Sequence, residues 1–151
     1  MQDIPSVLRQ EAEALRLFVS TLEGEQLALK KGDTERLSAF VEQKNRTAAL
    51  LGRLSQQRNS LLLAARFVKD REGLLAWGQT SPDAAALIDN FLALAEEAKE
   101  LNRLNGQLIT MHLNAAQGAL AAITPQHSGH GLYSAKGQTT FRTGYRLIDS
   151  V

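Results

Sequence analysis

Apolar residues recur along this chain at spacings of three, four and seven, the period of a helix with one buried face. Ile4, Leu8, Ala12, Leu15, Val19, Leu22 and Leu29 form the first such stripe. Pro5 suits an opening helical turn. Gly32 can end the run in the left-handed conformation, with Asp33 as N-cap of the second helix. The second stripe is Leu37, Val41, Lys44, Ala48, Leu51, Leu54, Arg58, Leu61 and Ala65, which predicts a helix from about Thr34 to near Phe67. At ~1.5 Å per residue it makes a rod about 50 Å long, the length of a bundle or coiled-coil helix.

The stretch "KDREGLLAWGQTSPD" breaks the period. Gly73 and Gly78 weaken a helix there, and Leu74, Leu75 and Trp77 are expected to form a short cap over the bundle end. Ser81, Pro82 and Asp83 then restart a helix as N-cap, first helical residue and acidic neighbour of the dipole. Its stripe is Leu87, Phe91, Leu94, Ala98, Leu101, Asn105, Leu108, His112, Ala116 and Ala119, running from Asp83 to Ile123 before Pro125 stops it. No period-2 alternation marks a strand. The expected fold is an all-α antiparallel bundle of three long helices with a short connecting element over residues 1–123.

Residues 124–151 form a second region of different character, a flexible tail carrying Gly and Ser with a short amphipathic segment. Four of the eleven glycines and both tyrosines of the chain lie in it. Phe141, Tyr145 and Ile148 are spaced four and three apart, so a helix there presents one apolar face flanked by Arg142 and Arg146. That face either folds back on the bundle or captures an amphipathic segment of another protein.

Composition narrows the function classes. The chain has 151 residues, 44% apolar and 22% charged, enough for one modest core. A net charge of +1 is too weak to point to nucleic acid or a membrane surface. The charge is uneven: Arg9 and Arg16 face Asp3, Glu11, Glu13, Glu23 and Glu25 over residues 1–29, a net of −3. The chain contains no cysteine, its start lacks the pattern of a secretory signal, and no apolar run is long enough to span a bilayer. A cytoplasmic location is the expectation.

Candidate chemistry is sparse. Lys44 and Arg58 are two heptads apart on the second stripe. They can hold a partner's carboxylate, but the favoured reading is structural: their stems cover the seam while the charges reach out to solvent or to Glu96, Glu97 or Glu100. On that reading either can be replaced by Leu with the fold kept and stability unchanged or raised. Asn105 on the third stripe is the matching register residue, and Asn102 is a weaker candidate for binding. His127 and His130, with His112 upstream, mimic a metal pair but sit in a Gly/Ser stretch without nearby carboxylates, which favours a solvated loop. Glu96 and Glu97 read as a solvated helix face. No nucleotide-binding or nucleophile motif occurs, so neither an enzyme nor a cofactor or metal site is expected.

Three stretches carry a resemblance to a known family: "LALKKGDTERLSAFVEQKNRTAALLGRL", "LNRLNGQLITMHLNAAQGAL" and "GLYSAKGQTT". An acidic helix ending in a Gly-Asp turn, an Asn-Gly inside the last long helix, and a Tyr four residues before Gly-Gln resemble the FlgN family of bacterial flagellar export chaperones. The resemblance covers nearly the whole chain. It implies a cytosolic helical protein without catalytic activity, whose partners are the hook-filament junction proteins and the flagellar export gate. The C-terminal region of such chaperones binds helical C-terminal segments of cargo, which points to Phe141, Tyr145, Leu147 and Ile148. Tyr133, beside Leu132, matches the aromatic that docks at the gate. The alternative is a self-associating coiled-coil module; a monomer or a weak homo-oligomer is compatible with the chain.

Overall fold

A computed structural model describes residues 1–123 as four helices: α1 Ile4–Lys31, α2 Thr34–Ala64, α3 Asp70–Gly78 and α4 Pro82–Ile123. The all-α expectation holds. Asp33 accepts from the Arg36 amide at 3.1 Å and Ser81 Oγ from the Ala84 amide at 3.1 Å, which fixes the starts of α2 and α4. Asp3 does the same for α1 through Ser6 at 2.8 Å. Gly32 closes α1 at φ 67°, so the two-residue turn needs a residue without a Cβ penalty.

α2 ends three residues short of Phe67. Arg66 adopts φ 68° and the Phe67 amide bonds back to the Leu62 carbonyl at 2.9 Å. Asn59 then ties the chain to Asp70, donating to its carboxylate at 3.0 Å and accepting its backbone N–H at 3.1 Å. The glycines expected to weaken the connecting element lie inside α3, where they allow close approach. A Cβ on Gly73 would fall 1.6 Å from the Val68 carbonyl oxygen, and one on Gly78 would fall 2.6 Å from the Ile88 δ-methyl. Local propensity loses here to packing.

The core runs along α1, which is buried on a broad face including Val7, Leu8, Leu15, Phe18 and Leu22 because α2 and α4 both pack on it. No α2 Cα comes within 8 Å of an α4 Cα, nor any α1 Cα of an α3 Cα. The four helices therefore occupy corners of a bundle, with α2 opposite α4 and α1 opposite α3. The phase of α4 differs from the one read off its leucines. Its buried positions are Ala84, Ile88, Phe91, Ala95, Ala98, Asn102 and Asn105, and Leu87, Leu94, Leu101 and Leu108 are half-buried beside them. Small residues in the seam let α4 lie close on α1, and the leucines cover the edge.

Candidate functional site

Two polar layers cross the core. In the lower one, the Arg58 guanidinium donates from Nη1 to both oxygens of Glu11, at 2.9 and 3.0 Å, and from Nη2 to Ser55 Oγ at 3.1 Å. The ring of Phe91 lies against it, with the centroid 5.1 Å from Cζ. In the upper layer, Lys44 Nζ donates to Glu25 at 3.2 and 3.4 Å. The Asn105 side chain donates to Glu25 Oε1 at 2.9 Å and to the Leu22 carbonyl at 2.8 Å. Glu11 to Glu25, Lys44 to Arg58 and Phe91 to Asn105 are each two heptads. Numbers rise from layer to layer on α1 and α4 and fall on α2, so α1 and α4 run parallel and α2 antiparallel.

The cations therefore do not reach out to solvent. Arg58 is fully buried and Lys44 nearly so, and their partners are Glu11 and Glu25 of α1 rather than Glu96, Glu97 or Glu100. The expectation that one Leu replacement keeps the fold with stability unchanged or raised loses its premise, since the replacement would strand a buried carboxylate. The reason is geometric: Glu11 and Glu25 sit within the apolar stripe of α1, at the heptad spacing of the cations. That shared interval is the signal in the sequence that pairs them, and the solvent-reaching expectation leaves it unused.

Burial dominates the electrostatics. It pushes the Glu11 carboxyl up from 4.5 to about 7, against the pull of the Arg58 charge and hydrogen bonds. It also holds the Lys44 ammonium below its ordinary value, against the pull of Glu25. Between pH 4.5 and about 7 the folded chain thus carries a Glu11 proton that the unfolded chain lacks, so this group adds stability as pH falls through that window. Urea unfolding at pH 7.5 and pH 5 should show that contribution, and Glu11→Gln should abolish it. A slope unchanged in Glu11→Gln would remove Glu11 as its source.

One turn below Asn105, Asn102 is 0% exposed, and neither its Nδ2 nor its Oδ1 has a hydrogen-bond partner among the described residues. Above the upper layer the bundle thins. In the parallel register His112 stands level with Gly32, so α4 continues about 11 residues, roughly 17 Å, beyond the hairpin turn. Met111 at the base of this overhang is 66% exposed, and on it Leu120 is 62% and Ile123 78% exposed. No Asp, Glu, Lys or Arg occurs between Arg103 and Lys136. His112 is exposed, and no metal-ligating cluster is present among the described residues. Leu132, Tyr133, Phe141, Tyr145, Leu147, Ile148 and the His127/His130 pair lie outside the described residues.

Comparisons with known proteins agree on one group. The FlgN protein family matches residues 1–140. A curated relative, the "Flagella synthesis protein FlgN" of Proteus mirabilis, is 29% identical over 140 residues, covering 91% of this chain and 90% of the relative. A crystal structure from Pseudomonas aeruginosa, described as a flagella synthesis protein FlgN, superposes with a TM-score of 0.66 at 18% identity. It covers 99% of this chain and 98% of that one, a likeness of fold. No described helix is long and apolar enough to cross a membrane.

Proposed function

This chain belongs to the FlgN family, and from that premise we propose that it is a cytoplasmic flagellar export chaperone. In this reading it binds the C-terminal helical segments of hook-filament junction proteins and delivers them to the export gate. The observation that carries the reading is the α4 overhang. An exposed, uncharged, apolar helix end is the kind of surface that a partner helix covers. Cargo that polymerises through helices needs its apolar faces covered before assembly, and a helix end followed by an amphipathic tail supplies such a cover. Lys44, Arg58 and Asn105 take the register role, and the reading involves no catalysis.

Within the tail, Phe141, Tyr145, Leu147 and Ile148 are assigned to cargo, and Leu132 and Tyr133 to the gate. Calorimetric titration of a junction protein's C-terminal segment into the full chain tests this. Phe141→Ala with Tyr145→Ala should weaken binding by at least ~2 kcal/mol, about thirtyfold. Tyr133→Ala should leave cargo affinity intact and weaken contact with the gate. Parent-like cargo affinity in the double variant would move capture to the long helices. Melting that depends on protein concentration, with no response to cargo, would favour a self-associating module instead.

A further inference from the structure

The seam of α4 outlasts α1. Over residues 84–105 its buried positions alternate spacings of four and three. Ile109 comes four on from Asn105, and Leu113, Ala116, Leu120 and Ile123 follow it at four, three, four and three. Residues so spaced share one face, the face that a helix offers to a partner helix. Ile109 and Leu113 are half-buried near the level of the hairpin turn, and residues 114–123 are all exposed. The upper end of the seam is thus an apolar face in solvent. No charge interrupts it, since no Asp, Glu, Lys or Arg lies between Arg103 and Lys136.

Residues 124–151, outside the described ones, begin where this face ends. Phe141, Tyr145 and Ile148 give that stretch an apolar stripe of matching spacing, four then three, with Arg142 and Arg146 beside it. As a helix, residues 141–148 would be about 12 Å long, within the roughly 17 Å of the overhang. Residues 124–140 lie between, with Gly129, Gly131 and Gly137 among them. A glycine-containing linker of that length spans roughly 21–25 Å root mean square, so it reaches any level of the overhang. The tether sets an effective concentration on the order of millimolar at the face, which a second copy or a separate protein matches only when abundant. Both arginines lie to one side of the stripe, so their charges stay in water while the apolar side chains make contact.

We propose that the exposed face of the α4 overhang seats the chain's own residues 141–148 as an antiparallel helix in the free protein, and that cargo displaces them. Each apolar stripe then covers the other until a partner helix arrives. The proposal rests on the chaperone reading only for what displaces the segment. Its consequence for that reading is a cost: cargo meets a binding-competent state reduced to the open fraction of chains.

The chain contains no cysteine, so Ser150→Cys takes a single nitroxide in the isotopically labelled full chain. In dilute solution the backbone amide signals of Leu113 and Ala116 should lose intensity at least about twofold, and no less than that of Ile123. Phe141→Ala with Tyr145→Ala in the same spin-labelled chain should restore them. Ala116→Glu, at an exposed position of the seam, should restore the Leu113 signal with helicity retained. A loss that fades steadily from Ile123 toward Leu113 and ignores these variants is that of an idle tether, and it would overturn the proposal. So would an equal loss when the nitroxide sits on a separate, isotopically silent chain, which would assign the face to a second copy. A junction protein's C-terminal segment is then added. Its binding should release the broadening; binding with the broadening intact would overturn the displacement. A segment that does not bind at all counts against the chaperone reading, and the seated helix is then decided by the broadening and the variants alone.

Discussion

Arg58→Leu is expected to lower the unfolding free energy by about 3–5 kcal/mol at pH 7.5, read by urea denaturation. The guanidinium is the ionic partner of Glu11, at 2.9 and 3.0 Å, in a fully buried site. Leu would fill the space and leave a carboxylate in an apolar core. Both influences that pull the Glu11 pKa down come from Arg58, so removing it raises that pKa above about 7. The sign of the pH effect is then set. In the variant, the folded chain takes up the Glu11 proton at a still higher pH, and much of the lost stability should return by pH 5. The double variant Glu11→Leu with Arg58→Leu removes both charges and should be as stable as the parent or more so, because the pair's attraction must offset two desolvations. A single Leu variant as stable as the parent at pH 7.5 would show that the pair is hydrated and contributes little.

Phe91→Ala is expected to cost about 3–5 kcal/mol, the range for deleting a buried aromatic side chain. Phe91 is buried in the α4 seam. Its ring bridges from α4 to the guanidinium of α2, two helices whose Cα atoms come no closer than 8 Å. The loss has two parts: a cavity that two well-separated helices close poorly, and a buried cation stripped of the ring face beside it, the latter about 1–2 kcal/mol. A double-mutant cycle separates them. In the Glu11→Leu, Arg58→Leu background the cation is gone, so Phe91→Ala should cost less there by at least ~0.5 kcal/mol. Additivity within error would mean the ring acts by volume alone. Phe91→Leu, which keeps part of that volume, should cost less than Phe91→Ala.

Much of the architecture was legible in the sequence because its signals are local. Gly32 and Asp33 carry the hairpin in two adjacent residues, and Ser81-Pro82 opens α4, each through a conformation or cap that needs no distant partner. The α1 stripe was also legible, since every one of its expected positions from Ile4 to Leu29 is buried. The phase of α4 was not. Leu87, Leu94 and Leu101 form as regular a stripe as Ile88, Ala95 and Asn102, and hydrophobicity alone prefers the leucines. The choice between the two stripes belongs to shape: α1 is broad and already filled by Phe18 and Leu22, so the facing seam must be small.

The charges divide along the same line. By itself the sequence determined that Lys44 and Arg58 lie on one helix face two heptads apart, and that this face belongs in a bundle. It also carried the family, through motifs spread along nearly the whole chain. Only the tertiary structure decided that the cations stay inside. A buried charge is tolerable when an opposite charge meets it at hydrogen-bond distance. Whether Glu11 and Glu25 do so depends on the relative shift of two antiparallel helices, which no stripe on either helix contains alone. The unpartnered amide of Asn102 is of the same kind. It arises from how separate helices lie beside one another, a relation between elements that local sequence does not encode.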